Sequence, residues 1–373
     1  MIEAAVETSS FPNPSKPAAP RRREATDPAK PFAEAGVRVQ GLTVELGGRL
    51  VLDDLSVEVR RGDFITVLGN SGCGKTTLLR YVAGFVPARA GSVWIAGRNV
   101  TDTPPHQRNV GLLYQNYALF PHMTVFENVA FGLRARRVAE HAIREGVASA
   151  LRIVRMEEFS GYRPAQLSGG MQQRIALARA LVIKPDVLLL DEPLSALDAN
   201  LRAAVRAELK TLHEAMPELT VIYVTHDRED ALTLSDRVLL LREGKVAQAG
   251  TPQELYDRPR DRFVANYLGL ANFLPPAAIA RALPAAGQLG AATDGGAVCI
   301  RPESLRLDDL GPGRLVGRVV RSEWRGSIIL ITVQIPHTSE PILVEAARRG
   351  TPPAAGEDIT LSFSPEDCVV VHD

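Results

Sequence analysis

The stretch FITVLGNSGCGKTTLLRYVAG, residues 64–84, decides the fold of this chain. Within it, Gly69-Asn70-Ser71-Gly72-Cys73-Gly74-Lys75-Thr76 fits the pattern G-x-x-x-x-G-K-[ST] between an apolar strand and a helix. Glycines let successive backbone N–H groups turn towards phosphate oxygens, and the N-terminus of the following helix adds positive potential. Lys75 can reach the β- and γ-phosphates, and the Thr76 hydroxyl can ligate Mg²⁺. The segment predicts nucleotide binding, without deciding between kinases, GTPases, helicases and transporters.

Length and composition limit what the rest of the chain can be. The 373 residues suffice for two or three domains, and 45% hydrophobic with 23% charged residues excludes wholesale disorder. Lys+Arg and Asp+Glu both number 43, so the basic excess of a general polyanion binder is missing and no nucleic-acid partner is expected. No apolar run reaches the roughly 20 residues of a membrane span. Three scattered cysteines fit a reducing compartment, which predicts a soluble cytoplasmic protein.

Composition also changes along the chain and predicts three parts. Residues 1–35 are rich in Pro and Ala without apolar periodicity, which is typical of a flexible tail. Residues 36–270 alternate apolar strands with helical patterns and form the predicted nucleotide-binding domain. Residues 271–373 carry short alternating strands, which predict an all-β domain, a barrel of the oligonucleotide/oligosaccharide-binding kind.

Strand patterns in the central part predict an α/β fold with two kinds of sheet. Alternating segments around Gly47-Gly48 predict an antiparallel hairpin, and GSVWIAG (91–97) predicts a third such strand. Residues 124–160 and 169–183 are rich in helix formers, and 238–250 predicts a closing hairpin. Four short, almost continuous apolar runs predict a parallel sheet that is covered on both faces: FITVLG (64–69), VGLLY (110–114), VLLL (187–190) and VIYVT (221–225).

Reactive side chains follow three of these runs, at the edge where a parallel sheet gathers its ligands. They are Gln115 after VGLLY, Asp191 and Glu192 after VLLL, and His226 after VIYVT. If these strands lie beside the phosphate loop, Asp191 can hold Mg²⁺ and Glu192 can polarise the attacking water. Gln115 can bridge metal and water, and His226 can donate to the γ-phosphate. A lone Gln or His at a strand end is more often an ordinary hydrogen-bonded residue, so their joint order carries this interpretation.

A second anion site is predicted at Leu167-Ser168-Gly169-Gly170-Met171. Ser168 suits the N-cap of a helix, and Gly169 and Gly170 leave its first N–H groups open to an anion. Because the chain has one phosphate loop, this second site needs a phosphate from elsewhere. Two copies packed head to tail would let each Ser168 helix cap the nucleotide held by the other. An ordinary capped helix is the alternative.

These motifs, in this order and spacing, resemble the ATP-binding subunit of an ABC transporter: GNSGCGKTT, Gln115, LSGGMQQR, VLLLDEP, SALD and His226. The resemblance covers about residues 37–270. It implies a P-loop NTPase cassette with a parallel core sheet, an antiparallel β-subdomain and a helical subdomain. It also implies a sandwich of two chains with ATP between them.

The resemblance assigns roles to particular residues, with ATP and Mg²⁺ as cofactors. Catalysis would fall to Glu192, His226, Gln115 and Lys75. Metal binding would fall to Thr76, Gln115 and Asp191. The nucleotide would be bound by the phosphate loop, by the second anion site and by the SALD segment, which together comprise Gly69, Asn70, Ser71, Gly72, Cys73, Gly74, Lys75, Thr76, Thr77, Ser168, Gly169, Gly170 and Asp198.

Two further segments resemble importers in particular. IRPESLRL (300–307) is similar to the accessory β-domain of importer ATPases for ferric iron, polyamines, phosphonates and sugars. NYALFPHMTVFENVAFGL (116–133) resembles the region that grips a coupling helix of the membrane subunit. Ordinary core packing is the alternative for its aromatic residues Tyr117, Phe120, Phe126 and Phe131.

The resemblance thus implies an ATPase subunit of an ABC importer, peripheral at the cytoplasmic face of the inner membrane. Its expected partners are a second copy of the chain, integral-membrane permease subunits and, through the permease, a periplasmic or extracellular solute-binding protein. The expected solute is ferric iron, a polyamine or a phosphonate. A non-transport ABC ATPase and an exporter subunit are alternatives, and the β-domain could serve as a regulatory ligand-binding module.

Two residues of the nucleotide site carry expectations of their own. The family places an aromatic residue against adenine between the first two strands, where this chain has Leu46. Without π-stacking, weaker discrimination between ATP and GTP is expected. Cys73 lies inside the phosphate loop, so we expect its alkylation to block nucleotide binding and bound ATP to protect it.

Overall fold

The computed structural model describes residues 35–195, 197–283, 296–308, 311–348 and 351–372. The predicted tail, apart from its last residue, lies outside these ranges. The chain divides into two compact units, the first ending at Ala249 and the second beginning at Gly250. The domain change near residue 270 stays a prediction, and the helices that precede it belong to the second unit.

The first unit is built from strands of two sheets and from helices that pack on them. Its strands are β1 (Ala35–Leu46), β2 (Arg49–Arg60), β3 (Phe64–Gly69), β4 (Ala90–Ile95), β5 (Arg98–Asn99), β6 (Val110–Leu113), β7 (Val187–Asp191), β8 (Thr220–Val224), β9 (Arg237–Arg242) and β10 (Lys245–Gly250). Its helices are α1 (Lys75–Ala83), α2 (Val125–Ala135), α3 (Glu140–Ile153), α4 (Gly169–Leu181), α5 (Ala199–Ala215) and α6 (Arg228–Leu234).

The smaller sheet has the strand order β2-β1-β4-β5, with β1 antiparallel to both β2 and β4. The β1–β2 hairpin turns at Gly47 and Gly48, whose φ angles are 57° and 77°. Such a two-residue turn needs positive φ at both positions, which glycine adopts without steric cost. The predicted hairpin and the third strand are therefore confirmed.

The larger sheet has the order β10-β9-β3-β8-β7-β6. β3 runs parallel to β8 and β9, β7 runs parallel to β8, and β6 runs parallel to β7. Every residue of β3, β7 and β8 is buried, which explains why these strands are almost continuously apolar. The carboxyl ends of β6, β7 and β8 meet at the edge where β3 enters the phosphate loop, as predicted.

Alternate residues of the parallel strands enter two different cores. Leu188 and Leu190 of β7 pack with α2, α3 and α4, whereas Val187 and Leu189 pack with α1 and the antiparallel sheet. This alternation follows from the two-residue period of a strand. The sheet is covered on both faces, and the predicted α/β class with helical and antiparallel subdomains is confirmed.

The second unit begins with α7 (Pro252–Asp257) and α8 (Arg262–Leu268) and continues mostly as strands. The strands are β11 (Asn272–Leu274), β12 (Ala297–Ile300), β13 (Gly313–Arg325), β14 (Ile328–Gln334), β15 (Ile342–Ala347), β16 (Asp358–Phe363) and β17 (Val369–Val371), and one further helix, α9 (Pro276–Ala282), follows β11. The orders β11-β12-β17 and β15-β14-β13-β16 confirm an antiparallel β-domain. The described strands pair as two sheets, and after the turn at Pro365–Asp367 strand β17 pairs with β12.

Within the described residues, no helix is both long enough and apolar enough to cross a membrane.

Candidate nucleotide-binding and catalytic site

The phosphate loop has a backbone shape that only glycine accepts at several positions. Gly69, Gly72 and Gly74 have φ angles of 150°, 81° and 105°. A Cβ at Gly74 would lie 2.4 Å from the side chain of Leu52, and one at Gly69 would lie 2.5 Å from the carbonyl oxygen of Leu241. Gly74 also caps α1 without a side-chain hydrogen bond. The first N–H groups of α1 therefore remain open to an anionic ligand, as the motif predicts.

Lys75 brings its positive charge into this loop. Its side chain is almost fully buried, and Nζ donates hydrogen bonds to the carbonyl oxygens of Gly69 at 2.8 Å and Asn70 at 3.2 Å. The ammonium group thus lies against the backbone that would surround the phosphates. A buried cation beside carbonyl dipoles attracts an anion strongly.

Thr76 and Asp191 join the start of α1 to the end of β7. The Thr76 hydroxyl donates to Oδ1 of Asp191 across 3.1 Å. Burial raises the pKa of Asp191, while this hydrogen bond and the charges of Arg80 and Lys75 oppose the rise. A hydroxyl and a carboxylate oxygen side by side are the donor types that Mg²⁺ prefers.

Glu192 and His226 meet at the ends of β7 and β8. Nδ1 of His226 lies 3.3 Å from Oε2 of Glu192, and the His226 side chain remains 59% exposed. Glu192 has a φ of 46°, and its N–H donates to the carbonyl oxygen of Val224 at 2.9 Å. The strained backbone turns the carboxylate out of the sheet and towards the histidine. The structure thus brings together two side chains that lie 34 positions apart in the sequence.

Gln115 lies at the end of β6, two strands from β8, and its amide Nε2 donates to Oγ of Ser195 at 3.1 Å. The Ser195 hydroxyl in turn donates to the carbonyl oxygen of Glu192 at 2.9 Å. Gln115 is therefore connected through Ser195 to the backbone of Glu192. Its predicted contact with a metal stays a prediction.

The predicted second anion site has the expected cap. Ser168 is the N-cap of α4, and its Oγ accepts from the N–H of Met171 at 3.4 Å. A Cβ at Gly169 would meet no atom within 4 Å, so the start of this helix faces open space. Asp198 caps α5 in the same way, with Oδ1 accepting from the N–H of Leu201 at 3.0 Å.

Comparison with known proteins identifies the family. The ABC transporter model matches residues 52–195, and the TOBE domain model matches residues 298–371. The spermidine/putrescine import ATP-binding protein PotA of Haemophilus influenzae is 40% identical over 329 residues, covering 83% of this chain and 87% of that protein. The chain belongs to the ABC transporter family. This ABC ATPase is also 39% identical over 362 residues to the PotA protein of Haemophilus ducreyi, covering 90% of the chain and 97% of the relative.

A solved structure agrees with this assignment. The ATP-binding cassette MJ0796, a dimer in a post-hydrolysis state bound to ADP and Pi, matches with a TM-score of 0.52 and 28% identity. The match covers 58% of this ABC ATPase and 98% of that chain. The predicted family, cassette fold and ATPase class are confirmed, and the TOBE match confirms the accessory domain after the cassette.

The aromatic residues after Gln115 divide between core and surface. Tyr117 is buried among the helices, whereas Phe131 is 44% exposed. Phe131 lines a shallow groove on α2 together with His122, Met123, Glu127, Arg134 and Ala135. Core packing is thus confirmed for Tyr117, and the contact with a coupling helix stays a prediction.

The sequence did not reveal a buried network beneath His226. Asp230 accepts hydrogen bonds from Nε of Arg206 at 2.9 Å, from the Tyr223 hydroxyl at 2.7 Å and from the Thr225 hydroxyl at 3.1 Å. Burial raises the pKa of Tyr223 well above its ordinary value, and Asp230 adds to the rise. The network fixes the residue before His226 and the first turn of α6. An Arg on α5 and an Asp on α6 were the available signal, but the sequence does not show that they are partners.

The expectations for Leu46 and Cys73 both stay predictions, and the structure shows where the two side chains lie. Leu46 is 43% exposed at the end of β1, opposite Arg49, and so presents an apolar surface beside the hairpin turn. Cys73 is only 6% exposed, and burial raises the pKa of its thiol although the charge of Lys75 opposes this. Alkylation of Cys73 is therefore expected to be slower than its place in the loop suggested.

Proposed function

We propose that this ABC ATPase is the ATP-hydrolysing subunit of a polyamine importer that works as a homodimer. The observation that carries the proposal is the sheet edge where the Thr76–Asp191 hydrogen bond and the Glu192–His226 contact lie beside the phosphate loop. A metal-binding pair and an acid–base pair on one side of a phosphate site are the parts that nucleotide hydrolysis needs.

The phosphates are bound by the loop from Gly69 to Thr77. Open N–H groups at the start of α1 and the buried Lys75 ammonium neutralise their charge. Thr76 and Asp191 would hold Mg²⁺ by their oxygen atoms, and Gln115 would be a further ligand. When bound, the ion neutralises charge on the β- and γ-phosphates.

Hydrolysis requires a base for the attacking water and a hydrogen-bond donor to the γ-phosphate. Both must lie on the side of the γ-phosphate away from the leaving group. Glu192 polarises the attacking water, since its carboxylate is at the strand end and only partly exposed. His226 lies against the Glu192 carboxylate, and its ring N–H is the group that donates to the γ-phosphate. The buried Asp230 network keeps the loop that carries His226 from moving away.

The second copy supplies the other half of each site. The N-terminus of α4, with Ser168, Gly169 and Gly170, contacts the nucleotide bound by the partner. Asp198, the N-cap of α5, links the two nucleotide sites of the dimer. Support comes from the MJ0796 cassette, which is a dimer bound to ADP and Pi.

Transport follows from docking beneath a membrane partner. The groove on α2 binds a coupling helix of the permease subunits, which receive solute from a solute-binding protein on the other side of the membrane. The protein accordingly acts as a peripheral subunit at the cytoplasmic face. Polyamine is chosen over ferric iron and phosphonate because the PotA relatives, at 39% and 40% identity over most of the chain, are import proteins for spermidine and putrescine.

The test is uptake by vesicles that contain the ATPase, its co-purifying permease and internal ATP. Spermidine, putrescine, ferric iron and a phosphonate are offered outside with the solute-binding protein. We expect ATP-dependent accumulation of the polyamines, which Glu192→Gln abolishes and the exposed variant Arg318→Gln leaves unchanged. Uptake of iron or phosphonate alone would contradict the solute, and ATP-driven efflux would contradict import.

A further inference from the structure

The segment that follows Gln115 has an unusual backbone. Tyr117 and Ala118 are consecutive residues with φ angles of 60° and 46°, in the left-handed region that residues other than glycine rarely occupy. Two such residues in succession are unfavourable unless the surrounding structure holds them. The side chain of Ala118 is exposed, so packing of that side chain does not explain its conformation.

A side chain of α4 holds the Tyr117–Ala118 turn. Arg179, in the last turn of α4, donates from Nη1 to the carbonyl oxygen of Ala118 at 2.8 Å and from Nη2 to that of Tyr117 at 2.9 Å. The planar guanidinium thus binds both left-handed residues at once, a geometry that lysine cannot reproduce. Its carbon also lies 5.6 Å from the centre of the Phe120 ring, which adds a cation–π contact.

The other end of the segment is fixed separately. Asn128 of α2 is fully buried; its Oδ1 accepts from the N–H of Phe120 at 2.8 Å, and its Nδ2 donates to the Phe120 and Thr124 carbonyl oxygens. Asn128 therefore anchors the segment to α2 whether or not Arg179 is bound. The Tyr117–Ala118 turn is the part that Arg179 of α4 contacts through hydrogen bonds.

Arg179 contacts the Tyr117–Ala118 turn and the Phe120 ring directly, and these partners connect it to other functional regions. Its helix begins at Ser168, the proposed contact with the partner's nucleotide. Its two carbonyl partners follow Gln115, which reaches the backbone of Glu192 through Ser195. Its aromatic partner Phe120 has its ring centre 4.7 Å from that of Phe131, which lines the groove on α2.

We propose that Arg179 is a positioning residue that latches the Tyr117–Ala118 turn in its left-handed conformation and thereby sets the position of Gln115. Movement of α4 on closure of the dimer pulls on this turn through two hydrogen bonds. Gln115 and Phe120 shift with it, which links the nucleotide site to the groove. The inference rests on the proposed role of Gln115 in hydrolysis.

The first test removes the latch and then removes the strain that it opposes. In Arg179→Gln we expect kcat for ATP to fall about tenfold, or about 1.4 kcal/mol, with the Kd for ATP within about twofold of wild type. Adding Ala118→Gly should restore kcat at least about threefold, because glycine keeps the left-handed turn without the guanidinium. Arg155→Gly is the matched control, since Arg155 is exposed with a φ of 56° and lies outside this segment.

The proposal would be overturned if Ala118→Gly did not restore kcat, or if Arg155→Gly restored it equally well. An unchanged kcat in Arg179→Gln would also overturn it. If Arg179→Gln does not fold, Ala118→Val in the otherwise unchanged chain gives the same information. A β-branched residue resists the left-handed region, so kcat should fall about threefold, against no change for Arg155→Val. Equal kcat for Ala118→Val and wild type would refute the latch.

A parallel measurement on Gln115→Ala separates this inference from the function it rests on. An unaffected kcat in Gln115→Ala would remove the proposed role of Gln115 itself. A reduced kcat in Gln115→Ala, together with no rescue by Ala118→Gly, would refute the latch alone.

Discussion

Two turns of the nucleotide site adopt left-handed backbone by different means. The phosphate loop does so with Gly69, Gly72 and Gly74, whereas the turn after Gln115 does so with Tyr117 and Ala118. Glycine accepts such angles without steric cost, so the phosphate loop keeps its shape on its own. In the second turn, Arg179 of α4 donates hydrogen bonds to the carbonyl groups of both residues. In the proposed mechanism, the first turn binds phosphate and the second follows the position of α4.

The largest effect is expected where the fixed turn is broken. In Gly74→Ala the new Cβ would lie 2.4 Å from the Leu52 side chain at a φ of 105°. Strain and overpacking together should cost about 4 kcal/mol, roughly a thousandfold in ATP affinity, which calorimetry can measure. Gly72→Ala is the control, because it has a φ of 81° but no atom within 4 Å. Equal losses in the two variants would show that the close approach to Leu52 is unimportant.

The comparison extends to the loop that carries His226. This loop is held by the buried hydrogen-bond network of Asp230 rather than by glycine residues. Removing the Asp230 carboxylate by Asp230→Ala leaves Arg206, Tyr223 and Thr225 without their shared partner. The free energy of unfolding should fall by about 3 kcal/mol, measured by urea denaturation. Asp358→Asn breaks an exposed pair with Arg318 and should leave the free energy of unfolding almost unchanged. Similar values for both variants would argue against a structural network under His226.

Thiol labelling measures how closed the fixed turn is. Burial raises the pKa of Cys73, so its thiolate fraction at neutral pH is smaller than that of a free cysteine. We expect iodoacetamide to label Cys73 about tenfold more slowly than in the urea-unfolded chain, to label it faster as pH rises, and to be slowed further by ATP. Peptide mass spectrometry separates Cys73 from Cys299 and Cys368, whose pKa values burial also raises, that of Cys368 to about 12. Labelling at the rate of the unfolded chain would contradict a closed loop.

The smallest effect concerns recognition of the adenine ring rather than of the phosphates. Leu46→Tyr supplies an aromatic ring at the expected adenine position, and we expect ATP to be favoured over GTP about fivefold more than in wild type, or about 1 kcal/mol. Leu50→Tyr is the control, because Leu50 is similarly exposed on the facing strand. An unchanged ATP to GTP ratio in Leu46→Tyr would place adenine elsewhere.

The same contrast explains what the sequence could predict. Glycines of the phosphate loop and the apolar runs before Gln115, Asp191 and His226 are local signals, and parallel pairing brings the strand ends together. Strand order makes the ends of β7 and β8 neighbours, and the φ of 46° at Glu192 then turns its carboxylate towards His226. Such features depend on patterns within a few residues of the site, and the predictions for strands, helices and hairpins are accordingly confirmed.

Interactions with distant backbone were not predictable in this way. Arg179 binds carbonyl oxygens 61 and 62 positions earlier, and every residue has a carbonyl, so no residue type marks the partner. The left-handed φ angles at Tyr117 and Ala118 could not be predicted either, because no glycine marks these positions in the sequence. The burial of Cys73 depends on Leu241 and Gly69 around it, and the two sheets of the second unit depend on where β17 pairs.

The central claim is that two copies of the chain complete each other's sites, and Glu192→Gln tests it most directly. This change keeps the shape of the side chain but removes the base, so bound ATP is not consumed. Analytical ultracentrifugation with saturating ATP and Mg²⁺ should show a stable dimer, which dissociates when ATP is replaced by ADP. A monomer under the same saturating ATP, with ATP binding confirmed by calorimetry, would contradict the account.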